Sequence, residues 1–182
     1  MCTNNQVKTM KHRKSQEELR ITYESRRLPR RYLSILRNYI RKSLRTDPSN
    51  YIGNSLVVTC LGKTCIIHEG RNTYPATTLY SGRWIGLIID DYPYLSPVLY
   101  EEIYMEHGYR AAVIAQDKGV KAFLYGNDLL PVSIQRVYGP KKYPLAVIDS
   151  SDYKVIGVVR WDPRKKIYRN IYDLGLFLRA LG

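Results

Sequence analysis

Two short apolar runs near the C-terminus constrain this chain more than any other feature. Leu145-Ala146-Val147-Ile148-Asp149 and Val155-Ile156-Gly157-Val158-Val159-Arg160-Trp161 have the length of strands, and Ser150-Ser151-Asp152 supplies turn chemistry between them. Tyr109 to Ala115 reads as a further strand after Gly108. Ala122 to Leu130 reads as a short helix that Pro131 ends or bends, and Asp173 to Leu181 as a closing helical turn or two. Short strands with one or two small helices over about 75 residues point to a compact barrel.

The preceding half reads differently. Leu33, Leu36, Ile40 and Leu44 fall on one helical stripe, widened by Tyr32, Ile35 and Tyr39. Arg30, Arg31, Arg37, Arg41 and Arg45 stay mostly outside it. This predicts a helix from Leu28-Pro29 to Leu44, stopped by Asp47-Pro48. Its basic face is either solvated or laid on a phosphate backbone. Residues 55–68 predict a β-hairpin around Gly62-Lys63, with Cys60 directly opposite Cys65. That pairing leaves two states open, a cross-strand disulfide or two reduced thiols. Arg83 to Ile89 reads as a strand. Tyr94 to Met105 reads as a short helix or turn limited by Pro93 and Pro97. A boundary is expected near Glu106 to Gly108. The chain thus divides into a flexible basic tail (1–27), an α/β domain (28–107) and a β-rich domain (108–182).

Charge narrows the partner. Residues 1–46 hold 13 Lys/Arg against 3 acids, residues 47–120 hold 5 against 8, and residues 121–182 hold 11 against 5. Basic zones flanking an acidic middle are the footprint of a polyanion partner. Met1 to Lys14 lacks the apolar core of a secretory signal, and no apolar run approaches membrane length, so an intracellular protein is expected. Three cysteines describe no disulfide framework.

Signals for catalysis are thin. Gly62-Lys63-Thr64 lacks the upstream glycine of a phosphate loop, because Val57 stands there. Cys65 and His68 have no second ligand pair for zinc. Asp90-Asp91 and Glu101-Glu102 read as solvated acids. No cofactor or metal is expected.

The densest functional signal is Arg160-Trp161-Asp162-Pro163-Arg164-Lys165-Lys166-Ile167-Tyr168-Arg169. Its five cations suit phosphate oxygens, and Trp161 and Tyr168 suit stacking on unpaired bases. Asp162-Pro163 places a turn within it. Arg136, Lys141 and Lys142 are candidates for the same face.

Residues 109–182 resemble a PUA domain, a small RNA-binding pseudo-barrel. Ala122-Phe123-Leu124-Tyr125-Gly126-Asn127-Asp128-Leu129-Leu130 resembles the F-L-Y-G-N signature of the Nip-type factors of large-ribosomal-subunit biogenesis, found in archaea and eukaryotes. Leu145–Ile148, Val155–Val159 and Asp173–Arg179 resemble later segments of that family in order. The Leu28–Leu44 helix, the 56–68 hairpin and Tyr94-Leu95-Ser96-Pro97 resemble its N-terminal α/β domain. The resemblance implies an α+β fold: an antiparallel sheet flanked by helices, then a mixed PUA pseudo-barrel. It also implies no catalysis, and binding of U-rich or A/U-rich pre-rRNA alongside other ribosome-assembly or exosome proteins, with no membrane role. The location would be cytoplasmic, or nucleolar in a eukaryote. Arg160, Arg164, Lys165, Lys166 and Arg169 match the basic positions implicated in RNA contact. Tail residues 1–27 have no counterpart in that family. Two other readings remain open: an RNA-modifying enzyme that docks tRNA or rRNA through its PUA domain, and a DNA-binding chromatin or viral protein.

Overall fold

The structure, a computed structural model, describes residues 24–61, 64–70 and 82–176. Its first five strands are β1 (Glu24–Arg27), β2 (Leu56–Leu61), β3 (Thr64–Glu69), β4 (Trp84–Ile89) and β5 (Tyr92–Leu95). They form an antiparallel sheet in that order. The remaining strands are β6 (Ala112–Ala115), β7 (Ile134–Tyr138), β8 (Leu145–Asp149), β9 (Val155–Asp162) and β10 (Ile167–Asp173). Their order is β10-β9-β8-β6-β7, and β6 and β8 run parallel. Leu129 exchanges backbone hydrogen bonds of 2.9 Å with Tyr168 on the free edge of β10. The segment leading to β7 is thereby tied to the opposite edge strand, which curls the second sheet into a pseudo-barrel. The architecture is the expected α+β, an antiparallel sheet with helices followed by a mixed sheet.

Helix α1 (Arg30–Tyr39) packs on β5 and continues as a wider π turn over Ile40–Leu44. Its buried side is Tyr32, Leu36, Tyr39, Ile40 and Leu44, while Leu33 is only partly buried. The helix is therefore rotated slightly toward its tyrosines. Burying their rings covers more apolar area than burying Leu33 would. Arg45, at φ 55°, ends the turn in the left-handed region.

Several boundaries differ from expectation. Glu24–Arg27 belongs to no tail: it pairs with Val57–Cys60 as the edge strand β1. Residues 1–23 lie outside the described residues. Pro97 begins a helix instead of limiting one. Ser96 caps α2 (Pro97–His107) by accepting from the Leu99 N–H at 3.1 Å, and proline at the first helical position leaves no donor unsatisfied. Helix α3 spans Asp117–Leu124, beginning five residues and ending six residues before the expected Ala122–Leu130. A Cβ at Gly119 would sit 2.8 Å from the Ser133 Cβ, so this glycine marks a close approach. Strands β7 and β10 are not legible in the sequence. β7 is an exposed edge, and Asn170 and Tyr172 of β10 flank a bulge that breaks alternation. Of the closing helix, only its first residues through Leu176 are described.

Cys60 and Cys65 are opposite in register and disulfide-bonded, with Cα atoms 3.9 Å apart. This resolves the open choice in favour of the cross-link. The hairpin tip, Gly62-Lys63, lies outside the described residues.

Helix α2 packs on both β4 and β9. Tyr39 Oη lies 2.7 Å from Tyr100 Oη and donates to the Pro144 carbonyl at 2.9 Å. Tyr172 donates to the Leu95 carbonyl, and the Val155 N–H donates to Glu101 at 3.0 Å. Buried side chains of the two sheets form one cluster. No helix among the described residues is long and apolar enough to cross a membrane.

Candidate nucleic-acid interface

Strands β9 and β10 form a hairpin in which Arg160 faces Arg169, Trp161 faces Tyr168 and Asp162 faces Ile167. Successive side chains alternate across a strand, so this register sorts the basic stretch into three places.

The first place is the turn, Pro163-Arg164-Lys165-Lys166. The Asp162 carboxylate accepts from the backbone N–H of Arg164 at 2.9 Å and of Lys165 at 3.1 Å. These bonds, that from Lys165 first, hold its carboxyl below the usual carboxylate range. Asp162 is therefore engaged chiefly by the backbone, with the Lys165 and Arg169 charges adding a smaller pull. Lys166 takes a left-handed backbone, φ 55°, which closes the loop and turns the chain into β10. Arg164, Lys165 and Lys166 are all exposed. Among the described residues no carboxylate lies within ion-pair distance of any of the three. A turn fixed by its own backbone and carrying three unpaired cations can meet phosphate oxygens at little ordering cost.

The second place is the face carrying Trp161 and Tyr168, whose rings pack at 4.7 Å. Tyr168 is 2% exposed. It is a core residue, which corrects the expectation that it stacks on a base: a ring closed in by its own fold has no free face. Trp161 is half-buried, and the Lys141 ammonium lies 4.0 Å from its ring centroid and 5.6 Å from that of Tyr168. Lys141 thus joins the hairpin through a cation–π contact.

The third place is the opposite face. Arg160 turns toward the first sheet, its guanidinium 4.8 Å from the Tyr92 ring centroid. Burial pushes the neighbouring Tyr94 hydroxyl up, and Arg160 pulls the other way. Arg160 therefore ties the hairpin to β5. Arg169 shares its face but is exposed. Two further candidates make their ring contacts outside the hairpin. Arg136 lies on β7, the other edge strand, 5.1 Å from the Tyr138 ring, and Lys142 leans over Tyr143 at 5.0 Å.

One exposed aromatic escaped the reading of the basic stretch. The segment after α3 runs along the free edge of β10: Asp128 accepts from the Asn170 N–H at 2.8 Å, and the Asn170 amide donates to the Phe123 carbonyl at 3.1 Å. Tyr125 lies on this segment and is 78% exposed. Its signal in the sequence was the F-L-Y-G-N stretch itself, read for family likeness and not for chemistry. No cluster of three potential metal ligands occurs among the described residues.

Residues 111–182 match the family model described as the UPF0113 PUA domain. The comparison with curated proteins finds no match. Among solved structures, the chain resembles a conserved PUA domain protein from Thermoplasma acidophilum at 18% identity and TM-score 0.54, over 87% of this chain and 100% of that one. It resembles a hypothetical protein from the hyperthermophilic archaeon Pyrococcus horikoshii at 12% identity and TM-score 0.60, over 82% and 94%. A PUA domain structure from Aeropyrum pernix, solved with tartrate, gives 14% identity and TM-score 0.51 over 88% and 91%. At these identities the likeness is one of fold.

Proposed function

From the PUA domain over residues 111–182, we propose that this protein is a non-catalytic RNA-binding factor that holds unpaired, U- or A/U-rich pre-rRNA during assembly of the large ribosomal subunit. The PUA domain is a known RNA-binding fold, which supports RNA as the polyanion. The observation that carries the reading is the β9–β10 turn, whose Arg164, Lys165 and Lys166 are exposed, backbone-anchored and unpaired. Arg169 and Lys141 extend the positive rim. Tyr125, and Trp161 where Lys141 yields, offer ring faces to bases. Such a site positions RNA and makes no bonds. The ribosomal role rests on the F-L-Y-G-N resemblance, and an archaeal, cytoplasmic setting with ribosome-assembly or exosome partners accords with it.

The test is binding of a U-rich single-stranded RNA by the full chain with Arg164→Ala, Lys165→Ala and Lys166→Ala together. Affinity should fall by roughly tenfold or more at moderate salt, with the thermal midpoint unchanged. Unchanged affinity would move the site away from this hairpin.

A further inference from the structure

A second basic surface lies far from the hairpin in sequence, on the first sheet. Arg27 at the end of β1 and Arg30, Arg37 and Arg41 of α1 and its π turn border a groove of about 690 Å³, together with Asn38 and Asn54. Among the described residues no Asp or Glu lines it. Arg30 and Arg41, with Ser34, Arg37 and Asn38 between them, recur at helical spacing along the outward side of α1. That stripe is roughly 16 Å long, enough to meet several successive phosphates.

Arg26 and Arg45 also stand exposed outside the groove, but three nearby arginines are committed. Arg31 pairs with Asp91 at 2.7 Å. Arg83 pairs with Glu102 and donates to the Tyr51 carbonyl at 2.7 Å. Arg110 donates to the Leu44 and Arg45 carbonyls at 2.9 Å. The groove arginines are not. Arg27, Arg30 and Arg41 have no ion pair among the described residues, although the Asp47 carboxyl, held low first by the Ser49 N–H, also feels the Arg41 charge. Arg37 donates to two neutral acceptors, Asn54 Oδ1 at 2.6 Å and the Gly53 carbonyl at 3.4 Å, so its charge is oriented but not neutralised. Like charges one helical turn apart, such as Arg37 and Arg41, repel and lower stability in isolation. A ligand anion removes that cost.

We infer that this groove binds the phosphate backbone of an RNA strand, as a contact separate from the β9–β10 turn. It goes beyond the hairpin site and rests on the proposed function only for RNA as the polyanion. A phosphate chain fits better than an acidic peptide, because an interface with protein is anchored by buried aromatic or apolar side chains. The groove's own apolar side chains, Leu28, Leu33 and Ile35, are buried or half-buried, and the large apolar side chains exposed among the described residues, such as Met105, Tyr125 and Val132, lie outside it. The groove instead supplies guanidinium forks and side-chain amides, the donor set of sequence-independent phosphate contact.

The experiment uses the full chain and a U-rich single-stranded RNA of roughly 24 nucleotides, long enough to reach beyond one small binding domain. In the variant carrying Arg27→Gln, Arg30→Gln and Arg41→Gln, binding should weaken by roughly tenfold or more. The salt slope of log K should become shallower by about 2, from three lost phosphate contacts. Arg41→Gln alone should remove about 0.7 of that slope and serves if the triple variant fails to fold. Wild-type affinity and slope in a folded variant would overturn the inference, whatever the hairpin variant does. Loss in the groove variant with none in the hairpin variant would uphold it and refute the hairpin site. Equal displacement of the RNA by poly-glutamate at matched charge would overturn it in favour of an acidic peptide.

Discussion

Gly157 shows how a single position sets the barrel's geometry. It lies in β9 opposite Asp173 of β10, and a Cβ built there would run into the Tyr172 carbonyl. The same Cβ would come within 2.8 Å of both Asp173 Cα and Phe123 Cε1. Backbone cannot move aside as a side-chain end can, so Gly157→Ala should cost about 2–3 kcal/mol, near the upper range for overpacking. Chemical denaturation measures it, and an unchanged midpoint would mean the strands are less tightly apposed. At the same scale, Tyr168 marks where reading residues from sequence stops. Its neighbours Lys166 and Arg169 are exposed while its own ring is buried. A strand's alternation states that faces differ but not which face another element covers. Here the ring packs against Trp161, and Leu129, from a segment nearly 40 positions earlier, pairs with the Tyr168 backbone. Arg160 was likewise legible as a cation but not as a partner of Tyr92, because that contact crosses between the two sheets.

Among elements, those written in local chemistry were readable. Helix α1 announces itself by its apolar stripe, and the β2–β3 hairpin by a two-residue turn between β-branched runs, down to the register that opposes Cys60 and Cys65. Helix α3 was displaced and β7 missed because long-range packing decides both: Gly119 admits Ser133, and edge strand β7 has little buried surface to write a pattern. The disulfide is an element-scale brace. It closes a loop of only a few residues, for which loop-closure entropy gives about 2 kcal/mol. Cys60→Ser with Cys65→Ser should lower the denaturation midpoint by that amount at constant m-value. Three titratable thiols in the unreduced protein, instead of one, would show that the cross-link does not form.

For the molecule as a whole, a seam of tyrosines joins the two sheets. Tyr39, Tyr100, Tyr104 and Tyr172 are buried, and their hydroxyls bond to one another or to backbone carbonyls across the seam. Burial pushes all four hydroxyls above their ordinary value, well above it for Tyr39, Tyr104 and Tyr172. A raised folded-state pKa means that the stability is fully present below the unfolded value of about 10 and is lost as pH rises beyond it. Each buried hydroxyl then contributes a loss of order 1 kcal/mol per pH unit. Unfolding followed between pH 9 and 12 should therefore steepen sharply above about 10, and a flat profile would contradict a buried seam. The seam holds the second sheet firmly against the first and leaves the β9–β10 turn projecting as a fixed cationic rim. The most direct measurement of that rim's role is the salt dependence of binding to a U-rich single-stranded RNA of roughly 8 nucleotides. With about four phosphates neutralised, log K should fall against log salt with a slope near −3, whereas a flat response would contradict phosphate contact as the source of affinity.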